Sequence, residues 1–500
     1  MTAVLFALSS LVALAFGFLF VSLLWPAGRP FGERLLLKLC LAAGFGYGLT
    51  SCLCFVWLLM HGRADRTYLL FEAVVLALLL AGVLFRLSRA RGRSTVAEGE
   101  RARESARARA RERESDAPPE RWGWLFTAFF GVSLASTALA VAAAIVREPH
   151  GGGWDAWGIY GLRARAIFRG GENWREGFSA LTPWSHPDYP LLLPLSDVRS
   201  WLYCGGEVAY AQSVLSAIFT LATAGLLYSA LAALRGRAQG YLAGVVLMGF
   251  TTFIVYGSSA YADVPVMFFF TATLALFALH FGSGEGSRQF LILAGVAAGL
   301  AAWTKNEGLL FVAAVLAAHL AVTAFAGGRK TYARQLFFVA LGLLPVLAVV
   351  VYFKTWVAPP SELTAAMGSS SALGKIFDYH RYVHIVREFL LQLLYYRGRG
   401  VNLTYLLAIY LVCAGVSRKH RSGVIHVGLT LCLMLAGYFW VYLTTPYELV
   451  FHVRFSMDRL LLQLWPGFLL LYFLAATAPE EAFGQAASGG RLRASSGVAA

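Results

Sequence analysis

Long apolar runs separated by short polar intervals recur along the whole chain. A helix needs about 20 apolar residues to cross about 30 Å of hydrocarbon. Runs near that length lie at 2–25, 35–60, 67–85, 122–146, 209–234, 240–257, 264–281, 289–304, 307–326, 335–356, 401–416, 424–443 and 460–477. The pattern predicts an all-α, polytopic transmembrane helix bundle of about thirteen spans. The runs at 289–304 and 401–416 are the weakest of these. Three intervals, 147–208, 357–400 and 444–459, are too long or too polar to be turns, and their aromatic content argues for folded, functional loops.

Charge orients the pattern. Residues 86–121 carry eleven Arg against seven acidic residues, which assigns them to the cytoplasm by the positive-inside rule. Alternation then assigns Arg29, Arg34, Arg235, Arg237, Arg288, Arg329, Lys330, Arg334, Arg418, Lys419 and Arg421 to the same side. The N-terminus is expected outside, the C-terminus inside, and the three long intervals outside. The division expected is a three-helix unit at 1–85, a cytoplasmic Arg-rich linker at 86–121, a main membrane domain at 122–478 and a disordered tail at 479–500. Arg103, Arg107 and Arg111 stack like charges at i, i+4, so the linker reads as a solvated, partly helical segment. The first run lacks a basic flank before it and a small-residue cleavage site after it, and is read as a retained helix.

Composition agrees with a chain that mostly avoids water. It is 58% hydrophobic and 14% charged, with a mean hydropathy of +0.63. Soluble domains carry about 25% charged residues. The net charge of +15 sits in short loops, so it speaks for topology and anionic lipid rather than nucleic acid. The six cysteines show no CxxC spacing, which argues against a zinc site or a disulfide framework.

Chemistry-bearing residues concentrate in the outer intervals. Asp155 follows a Gly triplet and stands between Trp154 and Trp157. On the helix expected after it, Trp157, Tyr160, Ala164, Ile167 and Phe168 share one face and Arg163, Arg165 and Arg169 lie elsewhere, as in an interfacial helix. A carboxylate at headgroup depth among cations suits group transfer from a phosphate: the carboxylate takes an acceptor proton and the cations stabilise the leaving phosphate. The alternative is that Asp155 caps the helix. His186 and Asp188 stand in WSHPDYP, where prolines constrain the backbone; a substrate role and a rigid structural loop are both open there. Asp263 in YADVP opens a span, where ordinary capping also accounts for it. Lys305 and Glu307 in TKNEG occupy a tight turn. The span before it reaches only about 24 Å at 1.5 Å per residue, so the turn is expected to be recessed toward a polar cavity, or else to hold a snorkelling Lys paired with Glu. In the last outer interval, His452, Ser456 and Arg459 share a helical face. Arg459 suits a phosphate through its planar fork; interface anchoring is the alternative. Positive-inside counting used none of Asp155, Asp263, Lys305, Glu307 and Arg459, yet assigns all five to one side.

At these residues the chain resembles the GT-C superfamily of membrane glycosyltransferases, including protein O-mannosyltransferases and lipid A aminoarabinose transferases. The likeness spans roughly 122–478. It rests on Asp155 in WDAW, Asp263 in YADVP, the Lys-bearing turn TKNEG and the Ser-x-x-Arg pattern SMDR. The resemblance implies a GT-C-like fold and an inverting transfer from a polyprenyl-phosphate-linked sugar. It implies Asp155 as the base, with Lys305 and Arg459 contacting phosphate. Two features depart from the family: Asp155 is followed by Ala156 rather than a second acid, and three helices precede the core. The acceptor, whether glycan, lipid or protein, does not carry over, and a divalent metal requirement stays open. The expected setting is a bacterial inner (cytoplasmic) membrane with the site facing outward. The rival from another class is a transporter or flippase for a lipid-linked or anionic substrate; it would favour inverted repeats and broken helices at the midplane. A structural scaffold is the third reading.

Overall fold

The computed structural model describes residues 1–26, 34–93, 123–282, 287–361, 374–395, 403–479 and 481. Most of the Arg-rich linker, nearly all of the C-terminal tail and part of the 357–400 interval lie outside the described residues. Among those described there is no strand, and the chain is a bundle of helices: α1 (Thr2–Leu24), α2 (Leu35–His61), α3 (Tyr68–Arg93), α4 (Gly123–Arg147), α5 (Leu162–Arg169), α6 (Leu192–Cys204), α7 (Ala211–Arg235), α8 (Arg237–Met248), α9 (Thr251–Ser258), α10 (Asp263–Phe281) and α11 (Arg288–Thr304). There follow α12 (Glu307–Ala324), α13 (Gly328–Trp356), α14 (Tyr379–Tyr395), α15 (Leu403–Ala414), α16 (Arg421–Thr444) and α17 (Leu449–Ala475).

Ten of these helices are long and apolar enough to cross a membrane. The protein is an integral membrane protein. The remaining three predicted runs are helical but different in kind. The run at 240–257 is the pair α8 and α9, bent by 68°. Those at 289–304 and 401–416 are the short helices α11 and α15. Hydropathy registers how apolar a run is, and it does not register a bend or a shortfall in length.

Helix α10 forms the centre. Every residue from Asp263 to His280 is buried, and α2, α7, α11, α16 and α17 pack around it. A helix apolar all round belongs in the interior of a bundle, and this one begins with a carboxylate. Helix α2 also lies inside, against α1, α6 and α7, and Ser51 on it accepts a 3.0 Å hydrogen bond from Trp303 Nε1 on α11. The three N-terminal helices are thus packed into the bundle. One buried ion pair ties them further: Arg199 Nε on α6 lies 2.7 Å from Glu72 Oε1 on α3, both side chains at 0% exposure. Arg199 also donates to the Ser9 carbonyl at 2.8 Å, and the Tyr203 hydroxyl donates to the other Glu72 oxygen at 2.8 Å.

Two predicted boundaries are corrected. The interval 444–459 is mostly helix: α17 starts at Leu449 because Glu448 accepts from the amides of Val450 and Phe451. The face predicted after Asp155 is also redrawn. Residues Asp155–Gly161 form a π-helix before α5, and this wider turn breaks the 100° register used in the prediction. Tyr160, Ala164 and Ile167 are buried within the protein instead of facing the membrane interface, Trp157 is 51% exposed and Arg163 is buried. Arg163 lies over the Phe178 ring at 4.9 Å and donates to Ser185 Oγ at 3.0 Å.

A second polar cluster marks the opposite end of the bundle. Arg235 and Gln239 donate to the Ala476 carbonyl at 2.9 and 3.0 Å, and Lys419 pairs with Glu481 at 2.6 Å. Arg459 and Ala476 are separated along α17 by about 25 Å of helical rise.

Candidate active site

Four segments deliver charge to one point. Gly151 and Gly152 have φ of +83° and +68°, a region open to glycine without strain, and they turn the chain so that the π-helix starts at Asp155. Helix α10 brings Asp263 as its first residue. The break between α11 and α12 brings Lys305, Asn306 and Glu307. The first turns of α17 bring Arg459.

Arg459 is the hub. Its Nη2 lies 2.5 Å from Asp155 Oδ2 and 2.7 Å from Asp263 Oδ2, and its Nε donates to Asp263 Oδ2 at 2.9 Å. The guanidinium covers the Tyr261 ring at 4.8 Å. The other oxygen of Asp263 accepts from Lys305 Nζ at 2.9 Å and from Gln463 Nε2 at 2.7 Å. Lys305 also pairs with Glu307 at 2.9 Å. Asp263 is fully enclosed, whereas Asp155 and Arg459 keep 14% and 17% of their side-chain surface exposed. The cluster therefore has a dry floor and an open upper edge. Both carboxylates stand at the first residue of their helices, after Trp154 and Ala262, and their side-chain hydrogen bonds go to Arg459, Lys305 and Gln463.

A second group adjoins the first. Asp188 accepts from Asn306 Nδ2 at 2.7 Å, and Lys354 on α13 donates to Asn306 Oδ1 at 2.6 Å and to the Asp188 carbonyl. This ties the Lys305 turn to the 183–191 loop. His186 has φ of +46° and stacks on Tyr189 at 4.7 Å. Burial holds the Tyr189 hydroxyl well above its ordinary pKa, with the charge of Glu307 adding to the effect. His452 sits off the hub: its Nδ1 lies 2.8 Å from Thr445 Oγ1, and its ring meets those of Tyr442 and Tyr447.

Five residues singled out in the sequence thus meet directly: Asp155, Asp263, Lys305, Glu307 and Arg459. Asp188 joins through Asn306, while His186 and His452 form neighbouring walls. Sequence reading missed Gln463, although it lies one turn after Arg459 on the same face. It also missed Lys354, a single cation in an otherwise apolar run, and Tyr160. The Tyr160 hydroxyl is wholly buried without a hydrogen-bond partner, within electrostatic reach of Asp155.

Chemically, the cluster offers a partly accessible carboxylate beside two cations that share a buried carboxylate. Such a centre can accept a proton at Asp155 and hold anionic oxygen at Arg459 and Lys305. Among the described residues, no group of three or more His, Cys, Asp or Glu side chains is arranged to hold a metal ion. Compared with known proteins, the chain matches no family model, no curated protein and no solved structure.

Proposed function

We propose that the protein is an inverting glycosyltransferase of GT-C type, using a polyprenyl-phosphate-linked sugar on the outer face of a bacterial inner membrane. The observation that carries this reading is Arg459, which joins Asp155 to Asp263 while Lys305 holds the far side of Asp263. In the reaction the acceptor hydroxyl gives its proton to Asp155. Its oxygen forms the new bond to the anomeric carbon from the face opposite the phosphate. The bond from that carbon to the phosphate oxygen breaks, and the electron pair stays on phosphate. Arg459 and Lys305 neutralise it there, in surroundings dry enough to make the attraction strong. Asp263 holds both cations in position by hydrogen bonds to each.

The transporter reading has one feature in its favour, the bent pair α8 and α9, since broken helices mark many transporter sites. The two readings separate in one experiment. Purified protein in nanodiscs is given a panel of polyprenyl-phosphate sugars, and free polyprenyl phosphate and sugar release are measured. Cleavage of a panel donor supports the transferase. Transmembrane movement of an intact donor in vesicles, without cleavage, overturns it. Cysteine labelling from outside should modify sites engineered near Gly152 and Tyr447 but not near Ser105; labelling at Ser105 would invert the topology on which this reading stands.

A further inference from the structure

On the other side of the π-helix from Asp155 lies a cavity of about 130 Å³, lined by residues that include Trp157, Arg165, Trp201, Glu207 and Gln212. Asp155 and Trp157 are two residues apart, so their side chains leave the helical turn on opposite sides. None of the charged cluster around Arg459 lines this space.

The lining selects a ligand by elimination. Glu207 is clamped by Arg169, at 2.5 and 2.9 Å, and by Arg165 at 3.2 Å. An anionic ligand would meet the Glu207 carboxylate, and a cationic one would meet the Arg165 guanidinium. An apolar ligand would leave the buried Gln212 Nε2, which has no hydrogen-bond partner among the described residues, still without one. A neutral polyol satisfies all of them, because each hydroxyl both donates and accepts. Trp157, half exposed, supplies a flat π face, whose negative charge suits the polarised C–H bonds on one face of a pyranose ring. The volume suits a single ring, not a chain.

An aromatic track continues outward from this cavity. Trp157 meets Trp154 at 4.6 Å, and Trp154 meets Trp184 at 5.6 Å. The three rings are 51%, 50% and 50% exposed, and Trp154 directly precedes Asp155. A sugar in the cavity is held away from Asp155, but a second unit laid along the tryptophans reaches it.

We infer that this cavity is a subsite for a neutral pyranose, and that the acceptor is a glycan of at least two units: an inner ring held between Trp157 and Gln212, and an outer ring crossing Trp154 toward Asp155. Naming the acceptor rests on the transferase reading above; the subsite itself does not. The test uses full-length protein in nanodiscs with no lipid-phosphate donor present. The probes are methyl pyranosides and reducing-end-blocked disaccharides of glucose, galactose and mannose, read by saturation-transfer difference NMR. At least one disaccharide should bind, about tenfold or more tighter than its monosaccharide, a difference of about 1.4 kcal/mol. Trp157→Ala should weaken it at least tenfold, and Gln212→Leu, which keeps the side chain's volume, should do the same. Trp124→Ala, at an exposed tryptophan on α4, should leave it unchanged. Absence of binding by every probe would overturn the inference. So would binding that survives both substitutions, which would make these tryptophans a membrane belt only. If the sugar binds as described but no donor is ever cleaved, the subsite stands and the transferase reading fails.

Discussion

Arg199 and Arg459 are both held against carboxylates, and they differ in a way that separates structure from chemistry. Arg199 meets Glu72 with both side chains at 0% exposure, and Glu72 has each oxygen occupied, one by Arg199 and one by Tyr203. Charge is balanced one to one, and the pair joins α3 to α6. Arg459 instead faces two carboxylates, and Asp263 faces two cations. That group keeps an exposed edge on Asp155 and Arg459. A sealed, matched pair can only fasten helices. An open, shared set of charges can exchange partners with a substrate, and charged groups at membrane depth are costly enough that such an arrangement needs a use.

The sharpest way to break this comparison is at Asp155. Asp155→Asn removes the proton acceptor while keeping a hydrogen-bonding group for Arg459. Turnover should fall about 10²–10⁴-fold with the unfolding temperature nearly unchanged; near wild-type turnover in a donor-cleavage assay would end the assignment. At the sealed pair the pattern should reverse. Glu72→Leu strands Arg199 and should cost about 3–5 kcal/mol of stability, read by thermal unfolding in detergent, with turnover per folded molecule unchanged. Joining it with Arg199→Leu should recover most of that loss, since buried ion pairs are often replaceable by packed apolar side chains. The same double replacement at Asp155 and Arg459 should recover no turnover.

Two smaller effects refine the picture. Arg459→Lys keeps the charge but cannot span both carboxylates. Losing a charged hydrogen bond is worth about 1.5–3 kcal/mol, which corresponds to roughly 10–100-fold in turnover. Lys354→Met acts at one remove, by freeing Asn306 and the Asp188 loop. It should cost about tenfold or less in turnover, on the scale of about 1 kcal/mol per hydrogen bond, and Lys354→Arg should restore part of it.

The all-helical membrane architecture was legible because each crossing must be apolar over a fixed length, and that constraint writes itself into every span. Much of the charged centre was legible for the complementary reason. Asp155, Asp263, Lys305 and Arg459 interrupt or border apolar runs, where a charge is conspicuous. Glu72 and Arg199 were not recognised, since a lone Glu within the apolar run 67–85 does not name its partner on a distant helix. Trp157 was grouped on one face with Tyr160, Ala164 and Ile167, which are buried while it is exposed, because the π-helix alters the angular step per residue, and composition carries little warning of that. The start of α17 was misjudged because its first two turns mix charged and apolar residues, and only the Glu448 cap fixes the boundary.

Gly328 has a consequence that reaches across the whole bundle. With φ of +79°, it reverses the chain between α12 and α13, so that Lys354 returns beside Asn306, where the excursion began. The two helices act as a measured pair of arms, and their lengths from the bend set the height at which Lys354 arrives. One residue inserted after Gly328 would displace Lys354 by about 1.5 Å and swing it through about 100°. The Lys305 turn would lose its tether although the edit lies about 30 Å away along the helix. The accuracy of the charged centre is in this sense gauged from the far side of the bundle.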